Sequence, residues 1–186
     1  GTGYGTQGIY LDGAIAGIEV FGNLCYKISH DGIQHSGGRD VLMQNNIFAQ
    51  CGRGLHTDAA IFDLSKEGTS NIWARLQALP YRSTIWSNAF PELAGMPTNW
   101  DAVVGGNWMA PQGCVFSRNV GYSNTVWVEN FYNATSYFKE VANNLSDCDP
   151  RFADEANLNL TLRPDSPAFT LPGFVDIPFN RIGPES

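Results

Sequence analysis

The sequence predicts an all-β fold, a right-handed parallel β-helix in which successive repeats stack as a solenoid. Three segments open alike with a glycine and an aliphatic residue, and Gly8, Gly32 and Gly54 are 24 and 22 residues apart. Short runs rich in β-branched and apolar residues, such as 18–21 and 41–44, are bounded by Gly, Asn and Asp, which is typical of strands. A repeat of this length indicates stacked units, because one unit cannot bury its own apolar face.

A second series marks the same step with an asparagine followed by an aliphatic residue. Its members are Asn23, Asn46, Asn119 and Asn144, which are 23, 73 and 25 residues apart. At a turn, such an amide can satisfy backbone groups and stack on its counterpart in the next repeat. Leucine-rich repeats share the period, but their regularly spaced leucines are absent.

One domain is expected over residues 1–186, the C-terminal part of a longer solenoid. Residues 60–113 interrupt the repeats and read as a long loop that carries four of the five tryptophans, with a short helix expected at 70–79. Repeats resume at 114, and residues 149–186 read as a final strand and an extended tail that closes the C-terminal end. Because no N-terminal cap is visible, an N-terminal partner chain or missing N-terminal repeats are expected.

Composition narrows the class of protein. The net charge is −7 and no basic stripe occurs, which argues against nucleic acid as a partner. No apolar run approaches the ~20 residues that a membrane span requires. We expect a secreted, extracellular protein, a localisation with which the Asn-x-Ser/Thr triplets described next are compatible. No cofactor is expected, although paired outward aspartates could hold Ca²⁺.

Cysteines and sequons give further expectations. Four cysteines without metal-ligand spacing fit two disulfides, Cys25–Cys51 and Cys114–Cys148, or equally four buried thiols. Three Asn-x-Ser/Thr triplets are present, and Asn133 is the best candidate for glycosylation, which would make the chain a glycoprotein.

Side chains alternate along a strand, so Tyr10, Gln34 and His56 should form one outward ladder. Asp12 and Asp58 belong to the next ladder, two repeats apart, which implies roughly 9–10 Å. Inverting glycosidases hold two carboxyl groups ≈ 6.5–9.5 Å apart, so Asp12 and Asp58 are the candidate acid and base, with His56 assisting.

Substrate contacts are expected around these carboxylates. Aromatic rings offer flat apolar faces on which a sugar can stack. In the register used here His35 points inward, yet near a strand end it could stay partly solvated. The substrate-binding candidates are Tyr10, Gln34, His35, Arg39, Trp73, Tyr81 and Trp86.

Each candidate also has a structural interpretation. An aspartate at a strand end is usually a turn residue that accepts backbone N–H groups, and the tryptophans could simply fill the space beneath the loop. The functional interpretation depends on the convergence of the ladder, the carboxylates and the long loop.

Several motifs resemble those of secreted right-handed parallel β-helix repeat proteins. They are G-I-Y-L-D-G-A, G-G-R-D-V-L-M-Q-N-N-I-F, A-L-P-Y-R-S-T-I-W and L-R-P-D-S-P-A-F, in this order. The resemblance implies a relation to carbohydrate-active β-helix enzymes such as glycoside hydrolase family 141, with acidic residues expected at Asp12 and Asp58. Such relatives commonly read D-A-R-G where this chain has Asp58-Ala59-Ala60-Ile61.

Two functions follow as hypotheses. The first is an inverting glycoside hydrolase acting on an extracellular polysaccharide, with a polysaccharide lyase as a variant. The second is a non-catalytic structural or glycan-binding β-helix in an extracellular assembly.

Overall fold

The computed structural model describes residues 5–59 and 69–182, and three parallel sheets form its body. Sheet A has the order β1-β4-β7-β10 and contains β1 (Ile9–Leu11), β4 (Asp31–Ser36), β7 (Arg53–Asp58) and β10 (Val126–Phe131). Sheet B has the order β11-β8-β5-β2 and contains β2 (Glu19–Phe21), β5 (Leu42–Gln44), β8 (Val115–Ser117) and β11 (Glu140–Ala142). Sheet C has the order β3-β6-β9 and contains β3 (Leu24–Tyr26), β6 (Ile47–Ala49) and β9 (Val120–Tyr122).

The sequence repeat sets the register of these sheets. Ile9 pairs with Ile33, Ile33 with Leu55, and Leu55 with Val128, so each repeat places one strand beside its equivalent in the next. The strands predicted over 18–21 and 41–44 are confirmed as β2 and β5.

The predicted asparagine ladder is confirmed and runs between sheets B and C. The side-chain amide of Asn23 donates to Asn46 Oδ1 at 3.0 Å, Asn46 to Asn119 at 3.1 Å, and Asn119 to Asn144 at 3.1 Å. Each amide from Asn46 onward also donates to a backbone carbonyl at 2.9 Å. Buried polar groups are costly when unpaired, so this ladder stabilises the turns it occupies.

Aromatic side chains fill the interior of the body, and glycines at one repeat position make room for them. Phe48 stacks on Phe116 with ring centroids 6.3 Å apart, and Trp127 packs against both. A Cβ at Gly32 would lie 2.3 Å from the Phe48 ring, and one at Gly54 would lie 2.7 Å from the Trp127 ring. The repeated glycine of the sequence is therefore a packing requirement.

The interruption in the repeats folds into helices, which corrects the predicted fold class. The helices are α1 (Thr69–Gln77), α2 (Thr84–Ala89), α3 (Pro91–Ala94) and α4 (Trp100–Gly105). The all-β right-handed parallel β-helix is therefore wrong as a fold class, because parallel sheets and four helices give the described chain a mixed α/β arrangement. The long loop expected at 60–113 is likewise wrong for its described part, residues 69–113, although the helix expected at 70–79 is present as α1.

These helices have local causes and a small core of their own. Pro91 occupies the first turn of α3, where a missing N–H costs nothing. The Asn99 side chain caps α4 by accepting the Ala102 N–H at 2.9 Å. Residues of the segment bury one another in a separate cluster, whose buried members are Trp73, Tyr81, Met96 and Val103. We call residues 69–113 the helical insertion.

The C-terminal tail packs against sheet C. It begins with an antiparallel hairpin of β12 (Phe152–Asp154) and β13 (Asn159–Leu162), so the predicted final strand is confirmed. The tail contains three short 3₁₀ helices, at Glu155–Asn157, Pro167–Thr170 and Phe179–Arg181, and a fourth lies between β10 and β11 at Ala134–Tyr137. Leu171 and Ile177 of the tail belong to the same buried cluster as Ile47, Ala49 and Val120 of sheet C, and the closing of the C-terminal end by the tail stays a prediction.

None of the helices in the described ranges is long and apolar enough to cross a bilayer.

Candidate functional site

The outward face of sheet A carries the predicted ladder. Tyr10 pairs with Gln34 and Gln34 with His56, as the sequence repeat indicates. Glu129 pairs with His56 in the next strand and extends the ladder to a fourth repeat. Tyr10 is half exposed, and Gln34 accepts a hydrogen bond from Gln7 at 2.8 Å.

The second predicted ladder begins two residues further along the strands. Ser36 pairs with Asp58, and Asp58 with Phe131, whose ring is half exposed. Asp12 is exposed at the end of β1, and its carboxylate accepts the Gly13 N–H at 2.8 Å. Asp12 therefore makes the turn contact that the structural interpretation expects, whereas Asp58 has a side-chain partner.

His56 connects two carboxylates that come from different repeats. Its Nδ1 lies 2.8 Å from Glu129 Oε2, and its Nε2 lies 3.5 Å from Asp58 Oδ2. Because the two ring nitrogens are only about 2 Å apart, these oxygens can be at most roughly 9 Å apart, a limit that admits the spacing of inverting glycosidases. The side chains of His56, Asp58 and Glu129 are 13%, 16% and 29% exposed, so solvent reaches all three.

Arg53 connects Glu129 to a second pair of ionisable side chains, His30 and Asp31, at the start of β4. Its guanidinium forms an ion pair with Glu129 through Nη1 and lies 2.5 Å from Asp31 Oδ1 through Nε. Asp31 is fully buried, its other oxygen lies 2.7 Å from His30 Nδ1, and the His30 ring also contacts Arg53. Within the described residues Asp31 Oδ1 accepts no hydrogen bond. The positive charge of the Arg53 guanidinium therefore compensates the negative charge of the buried Asp31 carboxylate.

A continuous series of ionisable side chains therefore crosses sheet A. We call it the charged ladder, and its members are His30, Asp31, Arg53, Glu129, His56 and Asp58.

Glu129 and Arg53 are the functional candidates that sequence reasoning missed. A signal for Glu129 exists, because the offset of 73 residues between Asn46 and Asn119 also joins His56 to Glu129. Arg53 has no such signal, since its equivalent positions hold Asp31 and Val126. Arg53 supplies a guanidinium beside the carboxylates of Asp31 and Glu129 from the strand itself.

Three predicted substrate contacts, His35, Trp73 and Tyr81, are buried. His35 is fully buried, its Nδ1 lies 3.0 Å from Thr57 Oγ1, and its ring packs edge-on against Phe138. Burial lowers the pKa of His35 to about 4, with smaller opposing effects from Asp58 and the Gly38 backbone. Trp73 and Tyr81 belong to the buried core of the helical insertion, and Tyr81 also lines a cavity with Pro80 and Thr98, so their role as sugar platforms stays a prediction.

Arg39 lies in the turn that follows β4, and Trp86 lies in α2. Arg39 Nε pairs with Asp40 at 2.9 Å, and its guanidinium stacks 4.6 Å from the centre of the Trp108 ring. Trp86 packs against Phe90 and lines a cavity together with Arg39.

The predicted disulfides are absent, because all four cysteines are free. Burial raises the pKa of Cys25 and of Cys114 to about 12, and it also raises the pKa of Cys51 and Cys148. Cys25 donates to the Gly32 carbonyl and Cys51 to the Cys25 carbonyl, so these thiols act as small core residues. The pairs Cys25–Cys51 and Cys114–Cys148 are corrected accordingly.

Two further expectations concern modification and metal. Asn133 is exposed in a left-handed turn before a 3₁₀ helix, whereas Asn144 is held in the asparagine ladder. Within residues 5–59 and 69–182, no group of three or more His, Cys, Asp or Glu side chains is arranged to hold a metal ion.

Comparisons with protein-family models, with curated proteins and with solved structures find no match to this chain.

Proposed function

We propose that the protein is an extracellular carbohydrate-active enzyme that hydrolyses glycosidic bonds with inversion on the outward face of sheet A. The observation that carries the proposal is the contact of His56 with both Asp58 and Glu129. The upper limit of roughly 9 Å between these two carboxylate oxygens is compatible with the ≈ 6.5–9.5 Å at which inverting glycosidases leave room for a water molecule on the far side of the sugar. The resemblance to β-helix carbohydrate-active proteins supports the same class of reaction.

The surroundings suggest different roles for the two carboxyl groups. Glu129 is ion-paired with Arg53, which favours the charged form and suits a group that accepts a proton from water. Asp58 Oδ2 lies 3.5 Å from His56 Nε2, and His56 can pass a proton to Asp58 between turnovers. We assign Asp58 as the general acid and Glu129 as the general base, which replaces the pair Asp12 and Asp58.

Two aromatic side chains, Tyr10 and Phe131, lie on the two edge strands of sheet A. The Phe131 ring centroid lies 5.2 Å from that of His56, and Tyr10 stands at the other edge of sheet A. Both rings are half exposed, so each offers an apolar face beside the charged ladder.

The test is hydrolysis of a panel of neutral and acidic polysaccharides by the wild type, Asp58→Asn and Glu129→Gln, with Asp12→Asn as the matched control. We expect the two ladder substitutions to reduce the release of reducing sugar by at least about 100-fold, the usual contribution of a general acid or base. Asp12→Asn should retain activity, since Asp12 makes a turn contact.

Other outcomes select the remaining functions. Release that depends on Asp12 but not on Glu129 would restore the original pair. Products that absorb as unsaturated sugars would identify a polysaccharide lyase. If the wild type releases no sugar from any polysaccharide while its circular dichroism spectrum shows an intact fold, a structural or glycan-binding protein is the remaining function.

A further inference from the structure

A cavity of about 250 Å³ lies between the turns that follow β1 and β4 and the helices α2 and α3. Gly17, Arg39 and Asp40 line it on one side, and Trp86, Phe90 and Glu92 line it on the other. We propose that this cavity is a subsite for one neutral sugar unit of the glycan that the charged ladder cleaves. The proposal rests on the proposed function and adds a substrate class to it.

The aromatic pair gives the cavity its shape. The ring centroids of Trp86 and Phe90 are 5.8 Å apart with a 37° angle between the planes, so the rings form a tilted wall. A Cβ at Gly17 would lie 4.0 Å from the Phe90 ring, and the φ of Gly17 is +67°. Glycine therefore suits the positive φ of this turn and adds no side chain beside the Phe90 ring.

The charges in the cavity favour a neutral ligand. Arg39 is already paired with Asp40 at 2.9 Å and donates to the Trp108 carbonyl at 3.4 Å. Glu92 is exposed at the rim and adds a second carboxylate. A uronate or sulfated sugar would meet more negative than positive charge here, and desolvating its anion would bring no compensating ion pair.

Neutral hydroxyl groups, by contrast, have suitable partners. The carboxylates of Asp40 and Glu92 accept hydrogen bonds, and the guanidinium of Arg39 has five N–H donors, more than its two contacts use. An apolar wall with a few polar groups at its rim is the usual composition of a small-molecule site.

The cavity is connected to the charged ladder by the two turns that line it. One turn begins at Asp12 and reaches Gly17, and the other begins at Ser36 and reaches Arg39. Ser36 pairs with Asp58, and three residues span at most about 11 Å of chain. A single glycan of a few units can therefore occupy the cavity and present a bond to Asp58.

The test measures binding of cellohexaose, xylohexaose and hexagalacturonate by calorimetry to the full chain carrying Glu129→Gln, which prevents hydrolysis. In that background we compare Trp86→Ala, which removes the wall, and Ala16→Trp, which fills the cavity from the β1 turn. Ile85→Ala is the matched control, because Ile85 lies on the same helix as Trp86 but is 82% exposed and does not line the cavity.

We expect at least one neutral hexasaccharide to bind, and Trp86→Ala and Ala16→Trp to weaken that binding at least about tenfold. Ile85→Ala should bind as the parent does. Tighter binding of hexagalacturonate than of both neutral sugars would overturn the neutral class. Equal binding by Trp86→Ala, Ala16→Trp and Ile85→Ala, or no binding by the parent, would overturn the subsite.

The two proposals fail separately. If neutral sugars bind through Trp86 while the wild type releases no product, the hydrolase proposal fails and the subsite stands. If hydrolysis occurs and Trp86→Ala leaves neutral-sugar binding intact, the subsite alone fails.

Discussion

The asparagine ladder and the charged ladder both cross the repeats, but their chemistry differs. The asparagine ladder repeats one neutral side chain four times, with amide contacts of 3.0–3.1 Å. The charged ladder contains six ionisable side chains in which bases and acids alternate, from His30 and Asp31 to His56 and Asp58. The first is largely buried, and the functional end of the second is open to solvent.

Spacing explains the difference. Neighbouring strands lie about 4.8 Å apart, and an amide carries a donor and an acceptor, so identical asparagines can satisfy one another indefinitely. Identical charges at that spacing would repel, so an ionisable ladder has to change residue type from repeat to repeat. Repetition therefore identifies the stabilising series, and departure from repetition identifies the candidate site.

Asn119→Ala gives the largest expected effect and tests the stabilising role. Asn119 donates to the Met43 carbonyl and to Asn144, and it accepts from the backbone and amide of Asn46. Its removal leaves several buried groups unpaired, so we expect the free energy of unfolding to fall by about 4 kcal/mol. Urea denaturation measures it.

The control for this substitution is Asn88→Ala, at an exposed position of α2. We expect that change to alter the free energy of unfolding by less than about 0.5 kcal/mol. Similar effects of the two substitutions would show that the asparagine ladder contributes little to the free energy of unfolding. The stabilising role assigned to that ladder would then be wrong.

An intermediate effect is expected from His35, the ionisable group inside the body behind the charged ladder. Burial is the main cause that lowers the pKa of His35 from 6.5 to about 4, and Asp58 and His56 act on it with opposite signs. As the pH falls, His35 of the unfolded chain is protonated before His35 of the folded protein. The folded protein therefore has its full stability above about pH 6.5, and it loses free energy of unfolding as the pH falls towards 4. The loss should reach about 3 kcal/mol.

The measurement is the free energy of unfolding between pH 7 and pH 4 for the wild type and His35→Leu. The difference in slope between the two proteins measures the contribution of His35. Parallel curves for the two proteins would contradict the assignment.

The same contrast explains how much could be predicted from the sequence. The strands, their register and the asparagine ladder follow from local repeats such as Gly8, Gly32 and Gly54, because parallel pairing brings equivalent positions together. Tyr10, Gln34 and His56 follow from alternation along those strands. Glu129 lies beyond the insertion, and only the long-range offset connects it to His56.

The helical insertion could not be predicted in the same way, because its helices are short and are stabilised by contacts within the segment. Only α1 has nine residues, and α3 has four, too few for an apolar period to be visible. Trp73 and Tyr81 were interpreted as sugar platforms because large aromatic residues serve cores and binding surfaces equally well. Burial, which separates the two roles, depends on how the segment folds.

Glu129→Gln gives the smallest expected effect on stability and tests the other half of the comparison. The side chain is partly exposed, Arg53 keeps Asp31 as a partner, and glutamine can still hydrogen-bond to His56, so the free energy of unfolding should fall by about 1 kcal/mol or less. Because the contribution of partly exposed ion pairs is screened, the difference between wild type and variant should shrink as salt rises from 0.05 to 0.5 M. A loss as large as that of Asn119→Ala, and independent of salt, would make the charged ladder a second stabilising series. A small, salt-sensitive loss accompanied by loss of hydrolysis would mean that the repeats use one ladder for stability and the other for chemistry.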